Sequence, residues 1–153
     1  MKMLLAGGGT GGHLFPAVAL AQRLLETEPD ARVRFVGTVR GIESRVLPEL
    51  GLPLSTIEIA GFVGRGLAAK LAMLPMLLKS LWQSARILGQ FRPDVVVGVG
   101  GYASGPVLLA ALLKGVPTVI HEQNVWPGLT NRLLARWVKR VCLSYSDSGR
   151  FFP

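Results

Sequence analysis

The sequence predicts an α/β fold: a doubly wound, Rossmann-like parallel sheet of about six strands covered by helices on both faces. Three observations predict it. Short apolar runs alternate with helical patterns along the whole chain. Two of those runs, at residues 3–6 and 94–99, open directly into glycine-rich turns that lead into helices. Half of the 153 residues are hydrophobic and 19 are glycine, a composition suited to a buried parallel sheet rather than to disorder.

The length suits one domain with a full core. A single cysteine, Cys142, excludes an internal disulfide; in its apolar setting it reads as a small core residue. The first apolar run stops at the glycines, too short for a signal peptide. No stretch approaches the roughly 18 apolar residues of a membrane span.

Taken in order, residues 3–6 form the first strand and Gly7-Gly8-Gly9-Thr10-Gly11-Gly12-His13 the loop after it. A helix follows over 15–28, with Pro16 in its first turn and Val18, Leu20, Ala21, Leu24 and Leu25 inward. The second strand is 33–36. A short helix over 42–50 is bent at Pro48 and closed by Gly51. The third strand spans 55–59, and a glycine-spaced loop occupies 61–66. A long helix over 67–91 is kinked or restarted at Pro75, with Leu74, Leu77, Leu78, Leu81, Ala85 and Leu88 sharing a core face. Strand 94–99, helix 107–113, strand 118–121, helix 129–138 and strand 140–143 complete the alternation. Strand order 3-2-1-4-5-6 is expected, which makes strands one and four neighbours at the switch point.

That order has a chemical consequence. The loops after strands one and four, each a run of glycines entering a helix, open on one crevice. Glycine runs let backbone N–H groups approach an anion, and a helix N-terminus favours negative charge. His13, Tyr102, Ser104, Glu122 and Asn124 are expected to line the crevice from three adjacent strands. Two converging anion sites suit a substrate with more than one phosphate. His13, as a side chain that accepts protons near neutral pH, is a candidate base or else a polar helix cap.

The formal charge of +8 is uneven. Five cations and no acid lie between Glu58 and Asp94, and four cations and no acid between Glu122 and Asp147. Such a surface attracts nucleic acid, anionic lipid or phosphorylated substrates alike. In the long helix, Met76, Lys79, Trp82 and Arg86 fall off the expected core face. A tryptophan among cations there suits contact with an anionic membrane surface; packing of Trp82 under a neighbouring loop is the other reading.

GGGTGGHLFPA at 7–17, GGYASGP at 100–106, and HEQN at 121–124 with GLTN at 128–131 resemble the MurG family of peptidoglycan N-acetylglucosaminyltransferases, across essentially the whole chain. The resemblance implies a two-domain GT-B enzyme that converts lipid I to lipid II. Residues 1–143 would be its acceptor-side domain and 144–153 the start of a linker to a donor-binding domain, without which this chain is inactive. The resemblance further implies that Thr10, Gly11, Gly12 and Asn124 contact UDP-GlcNAc. Gly8, Gly9, Gly100, Gly101, Tyr102, Ser104 and Gly105 would cradle the diphosphate of the undecaprenyl-linked acceptor. His13 is the implied general base, with Glu122 a second base or an orienting partner. Met76, Lys79, Trp82 and Arg86 would meet the cytoplasmic face of the membrane, making the protein peripheral. No Asp-x-Asp and no His/Cys ligand spacing occur, so no metal or other cofactor is implied.

Two other readings fit parts of the sequence. Gly7-x-Gly9-x-x-Gly12 satisfies the dinucleotide fingerprint, and Arg40 after the second strand suits the 2′-phosphate of NADP, as in an oxidoreductase module. The acidic ribose-binding residue of an NAD site is missing. A basic nucleic-acid module would need aromatics interleaved with cations, and little beyond Trp82 answers to that.

Overall fold

A computed structural model describes residues 1–61 and 73–153. The strands β1 (Lys2–Gly7), β2 (Arg32–Thr38), β3 (Leu54–Ile57), β4 (Val95–Gly100), β5 (Thr118–Glu122) and β6 (Arg140–Leu143) form a parallel sheet in the order β3-β2-β1-β4-β5-β6. The expected order is therefore the observed one, with the switch point between β1 and β4. In the middle of the sheet Leu5 pairs with Phe35 on one side and Val97 on the other. At the C-terminal end the register shifts and Gly7 comes to lie beside Gly100, so the two glycine loops leave the sheet side by side.

The helices are α1 (Gly11–Thr27), α2 (Glu43–Glu49), α3 (Leu74–Phe91), α4 (Ser104–Leu113) and α5 (Leu129–Leu134), with a 3₁₀ turn at Ser146–Phe151. One core layer packs Met3, Leu5, Phe35 and Val97 of the sheet against Leu14, Val18 and Ala21 of α1 and Leu47 of α2. The other packs Leu4, Ala6, Val36, Val96 and Ile120 against Leu88 of α3 and Val107, Leu108 and Ala111 of α4. Neighbouring residues of one strand thus feed opposite layers, as strand geometry requires.

Several expected boundaries move. Helix α1 begins at Gly11 rather than 15, because the Thr10 carbonyl accepts from the N–H groups of both His13 (3.2 Å) and Leu14 (3.1 Å). Pro16 consequently sits in the second turn, where its missing donor deprives only the exposed Gly12 carbonyl. Leu20 is exposed, and Leu14 and Ala17 take its expected place inward. Cys142 is also exposed, not in the core: β6 is an edge strand, and of its four residues only Val141 is half-buried. Helix α4 starts three residues early, at Ser104, and α5 ends at Leu134, short of 138.

Helix α3 differs most from expectation. Pro75 lies in its first turn, and the segment 67–72 expected to precede it, like most of the loop 61–66, lies outside the described residues. Ser80, Ser84 and Leu88 are its buried positions, while Leu74 and Leu78, expected in the core, are exposed. The serines can face inward because each hides its hydroxyl in its own helix. Ser80 Oγ donates to the Leu77 carbonyl (2.8 Å) and Ser84 Oγ to that of Ser80 (2.7 Å). Small side chains with satisfied hydroxyls let α3 approach the layer beneath it; Leu81 packs half-buried against that layer, and Leu74 and Leu78 are turned out.

Candidate functional site

The two glycine loops touch backbone to backbone. A methyl group on Gly101, whose φ is +80°, would lie 2.3 Å from the Gly8 carbonyl oxygen, so no other residue fits this crossing without moving a loop. The imidazole of His13 stands over Gly100: a methyl there would come within 2.9 Å of Nε2. His13, Gly100, Gly101, Tyr102, Gly105 and Asn131 line one cavity of about 470 Å³, whose outer wall is apolar and includes Leu77, Leu109 and Leu133. Among the residues expected at the crevice, His13, Gly100, Gly101, Tyr102 and Gly105 are thus brought together.

His13 occupies the first turn of α1, and its Nδ1 lies 2.9 Å from the Thr10 hydroxyl oxygen. Burial lowers its pKa from the ordinary histidine value, against a smaller opposing pull from the nearby Glu122 carboxylate. A neutral imidazole held by one nitrogen, with the other facing a cavity, is geometrically equipped to take a proton.

Glu122, at the end of β5, is 1% exposed. Its Oε1 accepts from the backbone N–H (3.0 Å) and side-chain amide (3.0 Å) of Asn124. Its Oε2 accepts from the Gly128 N–H (3.1 Å) and from Asn131 Nδ2 (2.9 Å). Four donors converge on one carboxylate, which pins the β5–α5 loop and orients Asn131. Asn131 is itself buried, and its Oδ1 has no partner among the described residues. Asn124, exposed on this loop, keeps its own Oδ1 free of the Glu122 contact.

Three of the expected cradle residues sit differently. The Ser104 side chain is fully buried, its hydroxyl packed on Gly98 of β4 without a hydrogen-bond partner among the described residues, so it does not open on the crevice. Gly8 is buried, and the Gly9 N–H is already engaged: it donates to Glu43 Oε2 at 2.8 Å. Gly9 itself is exposed, but with its N–H turned to Glu43 the exposed residues of this loop not tied to that carboxylate are Thr10 and Gly12 at the start of α1.

Glu43 is the residue that sequence reasoning missed. It is fully buried, in the first turn of α2, and its Oε1 accepts from the N–H (2.7 Å) and hydroxyl (3.0 Å) of Thr38 at the end of β2. In sequence it is an ordinary acid at a helix start. The only signal is the pair of glycines around it: methyl groups on Gly37 and Gly41 would lie 2.4 Å and 2.1 Å from its side chain. Asn131 was likewise unassigned, although it ends the GLTN segment.

On α3, Met76, Lys79, Trp82 and Arg86 are all exposed, but they do not act as one set. Lys79 Nζ pairs with Glu58 at 2.7 Å, while the Arg86 guanidinium lies 5.8 Å from the Trp82 ring centre. Trp82 (61% exposed) shares an open apolar hollow with Leu78 (67%) and with Leu113 of α4 (74%), beside Lys114. Trp82 is not tucked under a described loop. Among the described residues no helix is long and apolar enough to cross a membrane.

A doubly wound domain whose switch-point cavity is lined by the second glycine loop and by a half-buried histidine from the start of α1 has the Rossmann-type architecture. The chain belongs to glycosyltransferase family 28, whose N-terminal domain matches residues 3–143. It is 68% identical over 152 residues to the UDP-N-acetylglucosamine–N-acetylmuramyl-(pentapeptide) pyrophosphoryl-undecaprenol N-acetylglucosamine transferase of Syntrophotalea carbinolica, covering 99% of this chain and 42% of that protein. The transferase of the same description from Syntrophus aciditrophicus is 55% identical, with the same coverage. The crystal structure of Acinetobacter baumannii MurG superposes with a TM-score of 0.81 at 37% identity, over 99% of this chain and 42% of that one. At 16% identity, the UDP-GlcNAc 2-epimerase of Neisseria meningitidis (TM-score 0.67) shares the fold alone. The chain therefore spans about two fifths of the length of these relatives, and nothing in them supports the oxidoreductase reading built on Arg40.

Proposed function

We propose that this chain is the acceptor-side domain of an inverting hexosyltransferase. In this reading it carries N-acetylglucosamine from UDP-GlcNAc to the muramyl C4 hydroxyl of an undecaprenyl-diphosphate-linked MurNAc-pentapeptide, turning lipid I into lipid II. The names of its full-length relatives support the substrates. The observation that carries the mechanism is His13, held at Nδ1 by Thr10 with Nε2 over Gly100, where the two glycine loops meet.

The acceptor hydroxyl attacks the anomeric carbon as the bond from that carbon to the UDP oxygen breaks, and the bonding pair leaves with UDP. The hydroxyl proton passes to Nε2 of His13, in the tautomer whose Nδ1–H donates to Thr10 Oγ1. Of the two roles open to Glu122, its four accepted hydrogen bonds favour the orienting one. Thr10, Gly11, Gly12 and Asn124 meet the sugar nucleotide. Gly100, Gly101, Tyr102 and Gly105, with backbone N–H groups at the start of α4, hold the acceptor diphosphate. A second domain binds most of the donor, and residues 144–153 lead toward it. The exposed Leu78, Trp82 and Leu113, with Arg86 and Lys114 close by, rest on the cytoplasmic face of the membrane.

The test is kinetic. In a full-length enzyme carrying this domain, His13→Ala should lower turnover by about 10²–10⁴. A loss below about tenfold, less than general-base removal costs, assigns the proton to another group. The 153-residue chain alone should not turn over, and sustained transfer by it would refute the need for a second domain.

A further inference from the structure

Glu43 lies outside the crevice, in the first turn of α2, yet it is the buried polar group to which the first glycine loop is tied. Three donors from two different loops converge on its carboxylate: Gly9 N–H at 2.8 Å, Thr38 N–H at 2.7 Å and Thr38 Oγ1 at 3.0 Å. That donor set suits an acceptor-only carboxylate. Glycines at 8, 37 and 41 leave the space it fills. A fully buried carboxylate is costly to desolvate and costlier to leave unpartnered, so a chain keeps one where it holds something in place. Here the held object is the Gly9 peptide. Gly9 is exposed and has open space around its Cα, so packing does not fix it. The next residue, Thr10, carries both the carbonyl that starts α1 and the hydroxyl that meets His13 Nδ1.

We infer that Glu43 is a positioning residue. By holding the Gly9 N–H it sets the Thr10 peptide, and through Thr10 it sets the orientation of the His13 ring. It also decides where an anion can sit on this loop. With the Gly9 donor withdrawn toward the interior, and a carboxylate behind it, negative charge is excluded from the middle of the glycine run and directed to the start of α1. The geometric part stands without any assumed reaction; only its effect on turnover rests on the transferase reading.

The experiment uses the 153-residue chain in solution. In the wild type, amide hydrogen exchange of Gly9 should be slow for an exposed glycine, at least tenfold slower than that of exposed Gly12. Equal rates after correction for sequence would overturn the proposal without any variant. In Glu43→Gln the side-chain amide can still accept from Thr38, but it turns a donor toward the Gly9 N–H. The Gly9 amide proton should then move upfield, and the His13 ring ¹⁵N shifts should report a changed tautomer balance. Thr38→Val, which removes only one donor to the other carboxylate oxygen, should leave both signals in place. A folded Glu43→Gln chain with unchanged Gly9 and His13 signals would refute the coupling. In the full-length protein Glu43→Gln should lower kcat by up to about 10²-fold with little change in KM. If the solution signals move and turnover does not, the transferase role of His13 fails while the positioning stands.

Discussion

Thr10 Oγ1 and His13 Nδ1 lie 2.9 Å apart on the first turn of α1, so the loop that ends β1 also holds the ring that faces Gly100. The contact is available because α1 begins at Gly11, which places residues 10 and 13 on the same side of the helix start. In the full-length enzyme Thr10→Val, nearly isosteric, should free the ring. Under the role proposed for His13, turnover should fall by about tenfold or more while acceptor KM stays within about twofold. Any change in substrate affinity should fall on the sugar nucleotide, which Thr10 is proposed to meet. An unchanged kcat would show that His13 is oriented by something else.

The titration of His13 should follow its surroundings. Burial is the larger influence and lowers its pKa; Glu122 raises it by a smaller amount. Its midpoint, followed by NMR, should therefore lie below the ordinary value of about 6.5. Glu122→Gln removes the raising charge and should lower the midpoint further. A midpoint above that of a model peptide would contradict the burial seen here.

Stability should fall in mild acid for the same reason. His121 is also lowered by burial, with Glu122 again the opposing influence. The folded chain thus resists protonation at both histidines, and the unfolded chain binds more protons between the folded and unfolded midpoints. Stability then rises with pH in that window. The contribution is complete above about pH 6.5 and is lost as pH falls through the folded midpoints. Denaturant titrations at several pH values check this, and replacing both histidines with glutamine should flatten the dependence.

Gly101→Ala tests the crossing of the two loops. The new methyl would meet the Gly8 carbonyl oxygen at 2.3 Å on a backbone with φ +80°. A loss of about 1–3 kcal/mol is expected from that strain, with chemical-shift changes concentrated at residues 7–13 and 100–105. Wild-type stability in this variant would mean that the loops are not in contact.

The exposed apolar hollow makes a prediction about lipid. Paired replacement of Leu78 and Trp82 by serine should weaken binding to vesicles containing anionic lipid without lowering the melting temperature, because both side chains already face solvent. Arg86→Glu should weaken it further in a salt-sensitive way, each cation contributing about 1 kcal/mol near such a surface. Lys79→Glu should do less for binding, and should instead place two carboxylates together by replacing the partner of Glu58. Undiminished binding by the Leu78/Trp82 variant would take this face out of contact with the membrane.

The sheet order, the switch point and the convergence of the two glycine loops were determined by the sequence itself, since each depends on patterns within a few neighbouring residues. Alternating apolar runs specify strands, helical spacing specifies the crossovers, and right-handed crossovers then leave few orders to choose from. His13, Gly100, Gly101 and Tyr102 were legible as crevice residues because they sit in the turns themselves. What only the tertiary structure decided concerns partners far apart in the chain. Whether Glu43 is an ordinary helix-start acid or a buried anchor depends on Gly9, 34 residues away. Whether Ser80 and Ser84 or Leu74 and Leu78 face inward on α3 depends on how closely the neighbouring layer approaches, and hydropathy counted the serines as polar although their hydroxyls are satisfied within the helix. The exposure of Cys142 follows from β6 being the last strand of its sheet. Local pattern reports what a residue prefers; the burial of a polar group is settled by a partner that sequence spacing does not reveal.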